Sequence, residues 1–311
     1  MAKKFKINFP KVANIVLIVY AAIFVIGIVF TLINGVHLDI NFSGGTRFTY
    51  LYTGDVDTAQ AKATVESKLD KQSVTVSTSE GINGGSKKLV VSLAGDKAVS
   101  VQTQENILKA LQEKFKDNAI QLGDSNSVNP SVAGEFFAKS LYAVGIACLL
   151  MVIYVGFRFK RIGGISAGLM ALVALVTDCC IAFFTCTIFK LEIDTNFMAV
   201  ILTILGYSLN DTIVIYDRVR ENKRKMGDAS LTDIVNTSCN QCLVRNIMTS
   251  VTTLIAILTV WIVAEYFGLT TLRTFVIPMA LGLTSGCITS ILVAVPLWLK
   301  YQNAKAKRQA K

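Results

Sequence analysis

Two aspartates, Asp178 and Asp211, interrupt apolar stretches of this 311-residue sequence, and Arg245 stands at the start of a further apolar stretch. A central aspartate or arginine costs about 2.5–3.5 kcal/mol on membrane-insertion scales, so such residues are rare and usually bind a partner or face a water-filled path. Each is therefore a candidate functional residue. A structural role is the alternative, because an arginine near a helix end can extend to the membrane surface and an aspartate can form a static contact.

Polar side chains accompany Asp211 and Arg245 along their predicted helices. Residues three or four positions apart share a helix face, so each charge continues into a polar stripe. The supporting polar residues are Tyr207, Ser208, Asn210 and Thr249. Two such stripes on neighbouring helices can line a narrow hydrated path. The alternative is a static ion pair that helps the helices to assemble, and the residues alone leave both open.

The composition excludes a soluble protein. Apolar residues make up 52% of the chain and charged residues only 17%, which is too little polarity for a soluble chain of this size. Uncharged or nearly uncharged runs predict six membrane-spanning helices, because about 30 Å of hydrocarbon requires about 20 helical residues. The first run is 12–36, and the others lie between the charged residues at positions 139 and 158, 161 and 190, 194 and 217, 245 and 265, and 273 and 300. The first run is too long for a cleaved signal peptide, so we expect a retained anchor.

Lysines and arginines lie mainly in segments that six spans place on one side of the membrane. By the positive-inside rule, both termini are then cytoplasmic. The predicted division is a cytoplasmic N-terminus (1–11), a first transmembrane helix (12–36), an exported domain (37–139), a five-helix region (140–299) and a basic cytoplasmic tail (300–311). The net charge of +10 belongs to the segments between spans, so it does not indicate a nucleic-acid partner.

The large loop at 37–139 alternates strand-like and helix-like patterns. Strands are predicted at 39–52, 73–79, 88–93 and 119–122, helices at 58–69 and 99–115, and a turn at 81–86. The order β-α-β-β-α-β predicts an α+β domain of the ferredoxin-like, or split βαβ, type. The expected fold class is therefore a six-helix membrane bundle with one exported α+β domain between its first and second helices.

Other motifs do not indicate an enzyme or a metal centre. Gly44-Gly45 lacks the lysine of a phosphate-binding loop, so we interpret it as a bulge or a close backbone approach. Cys239 and Cys242 form one CxxC pair with no second pair and no nearby histidine, which leaves zinc two ligands short. We expect no catalytic residue, no metal and no cofactor, and we interpret these cysteines as small apolar residues.

Several motifs resemble the SecF family of bacterial protein translocase subunits. The run GYSLNDTIVIYDRVREN (206–222) is similar to that family's fourth-span signature. LDINFSGGTRF (38–48) resembles the strand after the first span, and VNPSVAGEFFAKS (128–140) resembles the entry to the second. Asp178 lies where the family has a third-span aspartate, and NQCLVRNIMTSVTTL (240–254) resembles the start of the fifth span.

This resemblance implies a bacterial inner-membrane protein of the resistance-nodulation-division group. The implied partners are SecD as a second six-helix half, the SecYEG channel, YajC, YidC and an unfolded secretory polypeptide. The implied activity is protein export driven by the proton motive force, with Asp211 and Arg245 in the proton path and Asp178 as a further member. Sodium is an alternative coupling ion.

Our mechanistic hypothesis is that protonation of Asp211 releases Arg245 and that deprotonation restores the pair, which would bias two helix arrangements. Two other functions stay open. Half of a proton-coupled exporter of small molecules or lipids would have a substrate cavity. A non-transporting assembly factor would have static intramembrane charges, and charge-neutral substitutions would change only the yield of its complex.

Overall fold

The structure, a computed structural model, describes residues 8–69, 73–79, 87–94, 100–227, 229–267 and 270–309. The turn predicted at 81–86 and residues 1–7 lie outside the described residues. In chain order the helices and strands are α1 (Phe9–Asn34), α2 (Ile40–Ser43), β1 (Gly45–Tyr52), α3 (Thr58–Glu66), β2 (Ser73–Ser79), β3 (Lys87–Ala94), α4 (Val101–Lys114), β4 (Gln121–Val128), α5 (Pro130–Arg158), α6 (Gly164–Phe189), α7 (Thr195–Lys225), α8 (Leu231–Phe267), α9 (Thr270–Thr289) and α10 (Val295–Gln309).

Within the described part of the chain, six helices are long and apolar enough to cross a membrane, as the sequence predicted. They are α1, α5, α6, α7, α8 and a last continuous helix, Leu272–Gln309, in which a π-helical segment (Ser290–Ala294) joins α9 to α10. Several extend beyond the predicted spans. α7 continues to Lys225 and α8 begins at Leu231, because the charged residues there form further helical turns outside the apolar segments.

The six helices differ in how much of their surface the bundle covers. In the most apolar window of α6, α7 and the last helix, 44%, 50% and 56% of residues are buried, against 11%, 6% and 17% in α1, α5 and α8. The first three helices therefore form the centre of the bundle. The other three lie at its periphery, where their apolar side chains face lipid or a partner.

The strands form one antiparallel sheet in the order β2-β3-β1-β4. The alternating burial along β1 places Phe48 and Tyr50 in a core with Leu89 and Val91 of β3 and Leu111 of α4. Such alternation is expected of a sheet with one face covered by helices. The edge strand β4 is almost wholly exposed and polar, which opposes pairing with other chains.

The strand predicted at 39–52 begins later than expected, because residues 40–43 form the short helix α2. The Asp39 side chain accepts a hydrogen bond from the backbone of Asn41 at 2.8 Å and caps this helix. Gly44 ends it with a φ of +75°, and a Cβ there would lie 2.5 Å from Cα of Pro130. The pair Gly44-Gly45 therefore includes the close backbone approach that the sequence suggested.

Candidate functional site

Asp178 of α6 lies in the centre of the bundle and is fully buried. Its carboxylate accepts hydrogen bonds from Ser208 of α7 (2.7 Å), Ser285 of α9 (2.6 Å) and Thr289 of α9 (2.9 Å to each oxygen). Gly286 permits this approach, because a Cβ there would lie 3.0 Å from the Cβ of Ser208. The three central helices therefore meet at one carboxylate whose two oxygens are both bonded.

Further polar groups extend this cluster. The hydroxyl of Tyr20 on α1 lies 3.0 Å from Oγ of Ser285. Ser290, the first residue of the π-helical segment, donates to the backbone carbonyl of Ser208 at 3.0 Å. In a π-helical turn the backbone hydrogen bonds join residues five apart and not four apart, and such turns are frequent at functional sites. The cluster around Asp178 thus includes residues of four spans.

Asp211 lies on the same helix as Ser208, three residues further along, and is only 3% exposed. Its Oδ2 atom is buried and has no hydrogen-bond partner among the residues that the structure describes. On α8, Nδ2 of Asn246 is also buried without a partner within that part of the chain. Cys287 contacts the Asn246 carbonyl at 3.9 Å and interacts electrostatically with Asp211, so these groups lie in one region.

Arg245 on α8 interacts electrostatically with Asp211 but forms no direct ion pair with it; both residues lie in the described part of the chain. The Arg245 side chain is exposed and borders a cavity of about 610 Å³ between the ends of α7 and α8. The same cavity reaches Val214, one helical turn from Asp211. Its walls are highly charged, with Asp217, Arg218, Arg220, Glu221 and Arg224 all contributing.

The supporting residues from the sequence analysis have separate positions. Ser208 contacts Asp178, and Tyr207 accepts a hydrogen bond from Thr253 at 3.0 Å, which joins α7 to α8. Asn210 is exposed, and Thr249 donates to the backbone carbonyls of its own helix. Only Ser208 therefore belongs to a buried carboxylate site, and that site is the one around Asp178.

Sequence reasoning missed several members of the two sites. These are Tyr20, Ser285, Thr289 and Ser290 around Asp178, and Asn246, Ser250 and Cys287 near Asp211. One signal was available: Ser285 and Thr289 are four positions apart in an apolar helix and so share a face. Among the described residues, no group of three or more His, Cys, Asp or Glu side chains is arranged to hold a metal ion.

An apolar bundle that buries two aspartates and carries a sheet domain after its first helix defines a multi-pass membrane protein. Residues 106–304 match the family described as protein export membrane protein SecD/SecF, C-terminal. The chain therefore belongs to the SecD/SecF family of inner-membrane proteins.

Within that family, several of its relatives are SecF subunits. It is 34% identical to the protein translocase subunit SecF of Sebaldella termitidis over 89% of this chain and 86% of the relative. For SecF of Alicyclobacillus acidocaldarius the identity is 32%, over 92% of this chain and 90% of the relative. The resemblance to SecF is confirmed.

Other relatives are considerably longer than this chain. SecDF of Bacillus subtilis is 34% identical, but the chain spans only 37% of its length. The crystal structure of SecDF from Thermus thermophilus, a translocon-associated membrane protein, matches with a TM-score of 0.82 and 26% identity over 97% of this chain and 40% of that one. A SecDF structure in a super-membrane-facing form gives a TM-score of 0.68 at the same identity, over 98% of this chain and 40% of that one.

Proposed function

We propose that this chain is a SecF-type subunit that assists protein export across the bacterial cytoplasmic membrane, driven by the proton motive force. The observation that carries the proposal is the buried, unpartnered oxygen of Asp211 one helical turn from a charged cavity. An intramembrane acid is rare and is retained where an ion or proton path requires it. We propose no enzymatic activity for the chain.

Arg245 gives protonation of Asp211 a structural consequence. When Asp211 is ionised, the positive guanidinium is attracted toward it, and when Asp211 is neutral, that attraction is lost. Arg245 lies on peripheral α8, and Tyr207 and Thr253 join α8 to central α7. Each proton that crosses 100 mV supplies about 2.3 kcal/mol, enough to shift a two-state equilibrium roughly fifty-fold.

We assign Asp178 a secondary role in the same path. Its carboxylate is saturated with hydroxyl donors, so a proton reaches it only if those hydroxyls reorient. The Ser208 hydroxyl lies one helical turn from Asp211 on α7. Hydroxyls can both donate and accept, so Ser208 can connect the two acids.

The proposed partner within the membrane is SecD, with the SecYEG channel, YajC and YidC in the larger assembly. Asn210 and Arg245 are exposed on membrane-spanning helices, and polar or charged groups in such helices are usually paired or covered by other helices. A second set of helices would cover this face. The SecDF relatives support this arrangement, because the present chain accounts for about two fifths of their length.

We propose that residues 37–139 form a periplasmic domain of the ferredoxin-like type and that both termini are cytoplasmic. The antiparallel order β2-β3-β1-β4, with α3 after β1 and α4 before β4, supports the fold. The domain would hold or release an emerging unfolded polypeptide.

The test is export of a slowly folding secretory protein into inverted membrane vesicles after ATP-driven insertion is stopped. We expect a proton gradient to advance the stalled chain in vesicles with the wild-type protein and not with Asp211→Asn. Asp233→Asn is the matched control, because this aspartate is exposed at the start of α8 and bonds only locally to Ser230 (2.6 Å). Arg245→Lys, which keeps the charge, should retain part of the effect.

Complex levels are measured by blotting in every sample. Equal export by wild type and Asp211→Asn at equal complex levels would favour the static assembly factor over the proton-driven subunit. A response to a sodium gradient in place of a proton gradient would identify sodium as the coupling ion. Efflux of a small molecule or lipid without any effect on the stalled polypeptide would favour the half-exporter.

A further inference from the structure

A second large cavity lies at the end of the bundle, away from both aspartates. It has a volume of about 610 Å³ and lies between the end of α5, the start of α6 and α10. Its inner wall is apolar and includes Ile153, Phe157 and Leu169. Its mouth carries the polar side chains of Lys160, Ser166, Tyr301, Gln302 and Lys305.

This cavity is a groove along α5, α6 and α10, and close backbone contacts between these helices give the groove a fixed shape. A Cβ on Gly164 would lie 2.2 Å from the carbonyl oxygen of Gly156, so α5 and α6 can approach closely only with glycine here. The Gln302 amide donates to Oγ of Ser166 at 2.9 Å and to the carbonyl of Ile162 at 3.3 Å. These bonds hold α10 against the start of α6 and form one side of the groove.

The apolar side of the groove is open to the surroundings of the bundle. Phe157 is 67% exposed and Ile165 is 74% exposed, although both lie on membrane-spanning helices. In a membrane, such side chains contact hydrocarbon or another helix. The groove therefore continues from the ends of the helices into the region that acyl chains occupy.

The polar mouth is positively charged. Lys160 and Lys305 both line it, and neither forms an ion pair with an acid among the residues that the structure describes. The ammonium of Lys160 lies 4.5 Å from the ring centroid of Phe157, which directs it along the groove wall. Tyr301 adds an aromatic ring with a polar end, a residue type enriched at membrane–water interfaces.

We propose that this groove binds an anionic phospholipid, with its phosphate between Lys160 and Lys305 and an acyl chain along Ile153, Phe157 and Leu169. The groove matches such a lipid in charge and in polarity. Lys160 and Lys305 lie at its mouth, near the helix ends, and the wall beyond them is apolar. Basic pockets between transmembrane helices bind anionic lipid head groups for this reason. The inference does not depend on the proton path proposed above.

The test measures lipid retention by the purified full-length chain, with native mass spectrometry in detergent and added phosphatidylglycerol or phosphatidylcholine of identical acyl chains. The charge variant is Lys160→Gln with Lys305→Gln. The control, Lys223→Gln with Lys307→Gln, removes the same charge from exposed helix ends outside the groove, since Lys307 lies on the opposite face of α10 from Lys305. We expect about five-fold weaker phosphatidylglycerol retention per lysine, or about 25-fold for the pair, and no change in the control.

A second variant reports on the apolar wall and does not remove the lysines. Leu169→Trp places a fluorophore in the groove, and its added fluorescence should be quenched more by brominated phosphatidylglycerol than by brominated phosphatidylcholine. Equal retention of the two lipids by the wild type would overturn the proposal, as would equal losses in the charge variant and the control. Displacement of the lipid by glycerol phosphate alone would show that only the phosphate is recognised and would also overturn it.

Discussion

Asp178 and Asp211 are buried aspartates of one helix bundle, yet their surroundings differ in kind. Asp178 accepts hydrogen bonds from Ser208, Ser285 and Thr289, on two neighbouring helices. Asp211 has a buried oxygen with no partner in the described chain and an arginine that acts on it only at longer range. The first carboxylate is therefore satisfied by the protein itself, and the second has an oxygen that the described part of the chain leaves without a hydrogen bond.

This difference predicts that the two aspartates contribute differently to the stability of the bundle. A fully bonded polar cluster fixes the mutual position of the helices that contribute to it, because each lost bond leaves a buried group unsatisfied. An unpartnered buried acid contributes little to that fixation and stays sensitive to protonation. Helix α7 carries both environments, since Ser208 bonds to Asp178 and Asp211 follows within one turn.

The largest predicted effect is an opposite response of the two positions to removal of the acid. Asp178→Leu leaves three buried hydroxyls without their acceptor, so we expect a loss of about 2–3 kcal/mol in the free energy of unfolding. Asp211→Leu removes a poorly partnered buried charge, so we expect stability to stay within about 0.5 kcal/mol of the wild type or to rise. Thermal unfolding in one detergent measures both.

The comparison would fail if the two leucine variants unfolded at the same temperature. Asp178→Asn provides an intermediate control, because the amide keeps one oxygen acceptor for the hydroxyls of Ser285 and Thr289. We expect its unfolding temperature to lie between those of the wild type and Asp178→Leu.

A smaller effect is expected when one donor of the cluster is removed. In Thr289→Val, the valine side chain has nearly the same shape as threonine but lacks the hydroxyl that contacts both oxygens of Asp178. We expect a loss of about 1 kcal/mol, since Ser208 and Ser285 continue to donate. Thr284→Val is the matched control, because the Thr284 hydroxyl bonds only to the carbonyl of Ala280 in its own helix. Equal losses at the two threonines would mean that the cluster adds nothing to ordinary helix bonding.

The sequence identified both aspartates but not the difference between them. A charged residue within or next to an apolar run can be recognised from the sequence alone, so Asp178, Asp211 and Arg245 could be selected without a structure. The partners could not, because the contact of Ser285 with Asp178 depends on how two helices rotate and slide against each other. Single hydroxyls such as Ser285 are ordinary in membrane helices and carry no signal of their own.

Local sequence propensity gave a wrong prediction at one place near the start of the sheet domain. Ile40 and Phe42 favour a strand, and the prediction extended the strand across them. The structure forms α2 there, because Asp39 caps it and Phe42 stacks on Phe136 of α5 with a centroid distance of 5.8 Å. Packing against the bundle, which sequence patterns cannot report, overrides the intrinsic preference.

A third acid, outside the bundle, shows what direct contact with an arginine does. Glu192, in the connection between α6 and α7, lies 2.5 Å from Arg47 of β1, and Arg47 also contacts buried Asp39 at 2.5 Å. Burial raises the pKa of Glu192, and the nearby Arg47 opposes that rise in part. The contact between Arg47 and Glu192 joins the sheet domain to the segment that leads into α7.

The smallest predicted effect is at this contact. The folded protein keeps a proton on Glu192 at a pH where the unfolded chain has released it, so stability falls as the pH rises through that interval. Glu192→Gln cannot ionise, so it should remove this decline, and its stability relative to the wild type should increase as the pH rises through the interval. Thermal unfolding of the wild type, Glu192→Gln and the exposed control Glu113→Gln across a pH series measures the effect. Parallel curves for all three proteins would show that ionisation of Glu192 is not coupled to folding at this contact.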